Sequence, residues 1–355
     1  MLMAVNPTLH FQPGNLASLP LRELDGESLG QIVSDCIAIS ERDWSLRENS
    51  WSYKASPLVT GSSEPARVSE RWAEWSNDRA AARARLHELE EANNHVWTKE
   101  FGLEGVVSES VDADDATLIR PSREADAADL VSYAVGCMFG RYSLDQSGLI
   151  LADQGARLQD YLAMVPSPRF KPDADNVIPI VEGDWFEDDI VERFRQFLRV
   201  AFGEQHFEEN LRFVTESLGV KNLRDYFVKS FYKDHVQRYK KRPLYWLFSS
   251  PKGSFNALIY MHRYTPSTVS TVLNEYLREF QAKLKASLEQ AERSNKVKEA
   301  DVLRAKLLEL AEYEHDVLYP LASKQIALDL NDGVKVNYPK LGAALKKIPG
   351  LEASE

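Results

Sequence analysis

Residues 238–264 read RYKKRPLYWLFSSPKGSFNALIYMHRY, and the stretch changes character partway along. It opens on a tight cluster of cations, Arg238, Lys240, Lys241 and Arg242. It then turns into two aromatic and branched runs, PLYWLFS and SFNALIYMHRY, joined by SPKG. Pro and Gly in that joint are what a tight turn needs, so the pattern predicts a β-hairpin. The hairpin sits among segments of helical period. Upstream, 207–218 and 223–239 read as helices. Downstream, apolar residues at 269, 273, 276, 280, 284, 288 and 291 predict one helix over 269–293, and Leu303, Leu307 and Leu310 a second over 297–318. RSNK between them makes an antiparallel helical hairpin the natural arrangement. The expected fold is mainly α (α+β): several helical subdomains, a small β-hairpin and a C-terminal antiparallel helical hairpin.

The rest of the chain fits this class. Leu29, Ile32, Val33, Cys36 and Ile37 recur at helical spacing across 27–43. KASPLVTGSSEP, at 54–65, is a loop by composition. Residues 66–101 lack Pro and Gly. They read as one long helix, or two broken near Asn77, with Trp72, Trp75, Leu86 and Leu89 on the packed side and Gly102 as the stop. An acidic, turn-rich stretch at 104–115 precedes another helix in READAADLVSYAVGCMFGRYSLD. PSPRFKPDADNVIPIVEGDWFEDD, at 166–189, is expected to be irregular, and 188–202 helical. DLNDGVKVNYPKLG, at 329–342, is expected to be a turn and a short extended piece. The divisions expected are 1–24, a helical spacer at 25–105, a mixed helical and irregular part at 106–205, and the basic helix, β-hairpin and helical hairpin at 206–355.

Charge and composition narrow the function. The net charge is −11, which argues against a uniformly basic, nucleic-acid-coating surface but leaves room for a local patch. Two cysteines, Cys36 and Cys137, build neither a disulfide framework nor a structural zinc site. MLMAVNPTLHFQPG has no basic segment followed by an apolar run, and no stretch approaches a membrane span, so a cytoplasmic protein is expected. There is no G-x-S-x-G, no G-x-x-x-x-G-K-[ST], no H-E-x-x-H, and no lysine with an acid two positions before it. The acids at Asp112–Asp115 read as a solvated loop, and those at Glu187–Asp189 as the start of a helix, where they complement its dipole. No metal site is expected.

The basic segment differs in kind. Residues 221–263 hold ten Lys and Arg against two acids, +8 locally, which leaves −19 on the remainder. At 3.6 residues per turn, Lys229, Lys233 and Lys240 fall in one stripe, opposite Phe227, Val228 and Phe231. Arg238, Lys241, Arg242 and Lys252 extend it. Such a row binds phosphates, or it solubilises a packed hairpin; composition leaves the two readings balanced. Tyr245 and Trp246 read as core, with base stacking as the other reading.

The motifs FYKDHVQRYKKRPLYWLFSSPKGSFNALIYMHRYTPSTV, VSYAVGCMFGRYSLDQSGLILAD, DWFEDDIVERFRQFLRVAFG, VLNEYLREFQAKL and DLNDGVKVNYPKLGAALKKIPGL run in order along the chain. Together they resemble the C-terminal region of the PglX family, the adenine-specific DNA methyltransferases of type 1 BREX phage-defence systems. NPTLHFQPGNLASLPL resembles the end of a target-recognition region, which would occupy 1–24, and ARLHELEEANNHVWTKEFGL the helical segment that follows it. The resemblance implies S-adenosylmethionine as methyl donor and an [Asn/Asp]-Pro-Pro-[Tyr/Phe] motif that holds a flipped adenine. Here the nearest string is Asn6-Pro7-Thr8-Leu9, which lacks the second proline and the aromatic. No catalytic, cofactor-binding or metal residue therefore carries over, and the methyltransferase Rossmann-like domain is expected to be absent. The expected role is a non-catalytic C-terminal part that positions double-stranded DNA and docks the missing methyltransferase portion and other BREX components. The alternative is a protein-interaction scaffold with no DNA contact of its own.

Overall fold

The structure, a computed structural model, describes residues 14, 26–59, 65–113 and 115–352. The region expected at 1–24 thus lies outside the described residues, Gly14 apart. Two compact units emerge. One comprises Met1–Asp43 and Asp78–Arg120, the other Trp44–Asn77 and Pro121–Glu355.

The smaller unit holds α1 (Gly26–Ser45) up to Asp43 and most of α2 (Val68–Glu100), which is a single unbroken helix. Gly102 ends α2 at φ +64°, a conformation only glycine adopts freely, and its N–H caps the carbonyl of Lys99. Polar side chains of α2 then hold the acidic stretch that follows. Arg83 donates to the carbonyls of Ala113, Ala116 and Leu118, the His87 ring bonds that of Val111, and Asn94 donates to that of Glu109. Loop backbone lying on a helix needs such partners, because an unpaired carbonyl there would be costly. Leu86 and Leu89 are buried, whereas Val33 and Ile37 of α1 are 43% and 52% exposed.

The larger unit is built around a three-stranded antiparallel sheet, β1 (Val177–Pro179), β2 (Tyr245–Ser249) and β3 (Asn256–Tyr260), in the order β1-β3-β2. Tyr245 pairs with Tyr260 and Ser249 with Asn256, so the predicted hairpin is present. SPKG is its turn, with Gly253 at φ +75°. After Tyr260 the chain leaves the sheet as a short 3-10 turn, Met261–Arg263. The first strand lies in the segment expected to be irregular. It has three residues and ends in proline, too short for a period to register. What makes it a strand is Asn176, at φ +70°, whose amide donates to the carbonyl of Tyr260 and accepts its N–H. A side chain thereby supplies the ladder bonds that backbone would otherwise make.

Every strand residue is buried on both faces. A sheet this small stays dry only when helices cover both sides. α3 (Arg123–Phe139) and α7 cover one face: Phe139 stacks on Tyr245 at 5.3 Å, and His235 lies 4.7 Å from the same ring. Helix α7 runs Leu223–Tyr226, widens into a π turn at Phe227–Phe231 and continues as Tyr232–Arg238. On the other face Trp246 meets Tyr338 of α10 (Val334–Leu341) at 4.8 Å. That helix replaces the extended piece expected there. Pro339 sits inside it and gives up the bond its N–H would make to the carbonyl of Lys335. Only beyond α10 does the chain become extended, where Leu345 bridges Phe248 and covers the outer edge of β2.

Between these layers, α4 (Leu158–Met164), α5 (Ile190–Phe202) and α6 (Phe207–Ser217) fill the unit. Asp189 caps α5 through the N–H groups of Val191 and Glu192, the role expected of that acidic cluster. The helical hairpin is formed by α8 and α9. Helix α8 runs Thr268–Thr271, a π turn Val272–Leu277 and Arg278–Arg293; α9 runs Val297–Tyr313, a π turn Glu314–Leu318 and Tyr319–Lys324. Glu309 of α9 reaches the β2–β3 turn. It accepts from the Ser250 hydroxyl at 2.6 Å, the Lys252 N–H at 2.7 Å and the Ser254 hydroxyl at 2.5 Å. Burial pushes its pKa up, but those hydrogen bonds outweigh it and hold the carboxyl below its usual range. Among the described residues no helix is long and apolar enough to cross a membrane.

Replacing Glu309 by alanine orphans three donors under the turn. The expected loss is about 2–4 kcal/mol of unfolding free energy in urea. Because the folded pKa is the lower one, the carboxylate's contribution is present above pH 4.5 and lost as pH falls through the folded value, so the wild-type advantage over E309A shrinks in acid.

Candidate nucleic-acid interface

The predicted cationic row maps onto α7 and the turn after it, but not as one stripe. The π turn at Phe227–Phe231 widens the helix, and that shifts the register of everything beyond it. The helix then ends at Arg238, so Lys240 lies past its C-terminus. Phe227 and Phe231 are buried as expected, and Val228 is half-buried.

The turn is closed by a dense set of backbone bonds. Lys240 N–H donates to Gln237, Lys241 to Val236 at 2.8 Å, and Arg242 to Tyr239. This geometry puts Lys240 at φ +49° and Lys241 at φ +61°, two consecutive side-chain-bearing residues in the left-handed region. Each such residue costs about 1 kcal/mol or more, so the surrounding structure must enforce the conformation.

His235 does so. Its Nε2 accepts the N–H groups of Leu244 and Tyr245, both at 3.1 Å, so the proton resides on Nδ1 and the ring is neutral. The imidazole lies against Tyr245 and Tyr239 and is 2% exposed. Burial, reinforced by the charges of Arg238 and Arg141, pushes its pKa down to about 3. The Trp246 indole N–H adds a bond to the carbonyl of Pro243 at 3.2 Å. A buried neutral ring and an indole thus fix both ends of a strained turn whose three cations, Lys240, Lys241 and Arg242, are all exposed.

The remaining predicted residues fall into three situations. Lys233 is exposed and has no ion pair among the described residues. Lys229 is exposed but bonds Asp225 one turn back, at 2.6 Å; a surface pair of that kind is weak and exchangeable. Lys252 is exposed at the tip of the β2–β3 turn. Arg238 instead points inward. It is ion-paired with Asp129 and lies 3.7 Å from Glu48, a buried carboxylate that also accepts the Ser132 hydroxyl at 2.6 Å. Tyr245 and Trp246, at 0% and 1% exposure, are core and offer no surface for a base.

Two cations escaped the sequence reading. Lys346 and Lys347, in ALKKIPG, are exposed on the segment that runs along β2, where the Lys346 N–H donates to Leu247 at 2.8 Å. Glu352 is held below its usual range first by the backbone N–H groups of Glu352 and Gly350, and further by the charges of Lys241 and Lys347. The Lys-Lys pair was visible in the sequence; its partner lay a hundred residues upstream. The surface carries several ammonium groups and one guanidinium, at a charge density suited to a polyanion.

No family model matches the chain. It is 31% identical over 384 residues to the adenine-specific methyltransferase BrxX of Escherichia coli O9:H4 (strain HS), covering 97% of this chain and 31% of that protein. It is also 31% identical over 375 residues to the adenine-specific methyltransferase PglX of Lacticaseibacillus casei (strain Zhang), covering 99% of this chain and 31% of that protein. The chain spans about a third of the length of the curated relatives it matches.

Two results test the turn. Replacing His235 by leucine leaves two N–H groups buried without acceptors and is expected to cost on the order of 3 kcal/mol in urea unfolding. Wild type should also lose stability as pH falls from 6.5 toward 3, since the unfolded imidazole protonates first, and that component should vanish in H235L. Conversely, K240G/K241G relieves the left-handed strain and should gain about 1 kcal/mol in the same assay while losing polyanion affinity.

Proposed function

We propose that this chain, a relative of the BrxX and PglX adenine-specific methyltransferases over nearly all of its own length, is the C-terminal, non-catalytic part of such an enzyme in a BREX defence system. Its task is to hold double-stranded DNA by the phosphate backbone. The observation that carries this reading is the strained turn at Lys240 and Lys241, held by buried His235 so that its cations face outward. Left-handed lysines are worth keeping only where their display matters more than the stability they forfeit.

Lys229, Lys233, Lys240, Lys241, Arg242 and Lys252 are the proposed phosphate contacts, joined by Lys346 and Lys347; Arg238 braces the helix end from inside. Phosphate contacts position a duplex without reading its sequence. S-adenosylmethionine and the methyl-transfer residues belong, on this reading, to the rest of the enzyme. The described residues offer no parallel βαβ crossover to cradle the cofactor, and their sheet is antiparallel with both faces closed. Exposed Val33 and Ile37 on α1 favour a docking role as well, toward the missing methyltransferase portion or other components of the system.

Fluorescence anisotropy with a DNA duplex tests the proposal. K240E/K241E/R242E should bind at least tenfold more weakly near 0.1 M salt, and its plot of log affinity against log salt should be shallower by about three. Unchanged binding in a triple variant with wild-type thermal stability overturns the reading, and pull-down of partner proteins without any duplex binding favours a scaffold.

A further inference from the structure

A second concentration of positive charge lies at the other end of α7. There α5, α6 and the loop into α7 line an open surface pocket of about 230 Å³. Gly219, at φ +65°, ends α6 and turns the chain back, so that Lys221 comes to line the same pocket as Arg212 of α6 and Arg195 of α5. Leu211 and Leu223 contribute its apolar lining, and Glu208 is the one acid among the lining residues. Arg195 shares Glu192 at 3.5 Å, a half-exposed pair of little strength. Arg212 and Lys221 have no ion-pair partner among the described residues. Around this pocket Arg195, Arg212 and Lys221 outnumber Glu208 three to one, an excess of positive charge that a bound anion would offset.

We infer that this pocket is a phosphate-binding site, formed by Arg195, Arg212 and Lys221. At about 230 Å³ the pocket has room for one phosphate group with part of its hydration shell. Arginine and lysine together offer the fork and point-charge contacts that phosphate oxygens accept. Helix α7 leads from Leu223 at the pocket to Arg238 just before the basic turn, a rise of at most about 22 Å. That is roughly six steps of a duplex at 3.4 Å per step, so one DNA strand leaving the turn can place a phosphate here. The duplex source rests on the function proposed above; phosphate binding itself does not.

The test uses the full chain, R212E/K221E, and the milder R212Q/K221Q, which gives the same readout without charge reversal. Inorganic phosphate is titrated calorimetrically, and a duplex of about 20 base pairs by anisotropy across a salt series. Wild type should saturate with phosphate in the millimolar range, and both variants should bind it at least fivefold more weakly. For the duplex, R212E/K221E should lose at least tenfold in affinity, with a salt slope shallower by about two. That loss alongside no effect of K240E/K241E/R242E upholds the pocket and removes the role proposed for the turn. Phosphate loss with duplex binding intact upholds the site and assigns it to free phosphate or a phosphomonoester. Wild-type binding of both probes by the folded variants overturns the inference. So does an adventitious response, in which poly-glutamate saturates the pocket as well as phosphate does.

Discussion

The imidazole of His235 is the contact on which the larger unit turns. As a neutral acceptor it takes two backbone N–H groups at the point where α7 gives way to β2. A charged ring could not do this, because Nε2 would become a donor facing two donors. Burial keeps the ring neutral, and the neutral ring keeps the turn shut. From this one arrangement follow the direction in which Tyr245 enters the sheet and the left-handed lysines of the turn. The arrangement is also economical, since a single side chain satisfies two donors that would otherwise be buried unpaired.

The same device recurs around the sheet. Asn176 extends the β1–β3 ladder with two bonds to Tyr260, and Glu309 gathers three donors beneath the β2–β3 turn. The Leu345 bridge covers the outer edge of β2. A sheet of thirteen residues has few internal hydrogen bonds and two vulnerable edges. Buried polar side chains make up what the short strands lack. The result is a rigid support on which exposed cations are mounted.

Much of this was legible in the sequence. The switch of period at Pro243, the SPKG turn and the heptad-like spacing of α8 and α9 marked the hairpin and the helical pair. The acids of Glu187–Asp189 marked the start of α5. What escaped has a common cause: it depends on partners distant along the chain. Residues 177–179 become a strand only because β3 and Asn176 meet them. Lys346 and Lys347 join the basic turn only because the C-terminal segment lies along β2. The stripe of Lys229, Lys233 and Lys240 assumed an uninterrupted 3.6-residue period, which a π turn and an early helix end remove. Arg238 looked like its neighbours in composition, yet two carboxylates, Glu48 and Asp129, draw it inside.

The proposed function divides labour between a part that transfers the methyl group and a part that holds the polymer. Relatives three times as long carry the methyltransferase name, and this chain corresponds to about a third of them. Lysine-reactive footprinting of the full chain, with and without a duplex, tests the holding role most directly, because it reads each ammonium group separately. The account predicts that Lys233, Lys240, Lys241, Lys346 and Lys347 lose reactivity when DNA binds, while exposed Lys298 and Lys335 keep theirs. Protection spread evenly over all lysines, or absent from the turn while DNA is bound, would contradict it.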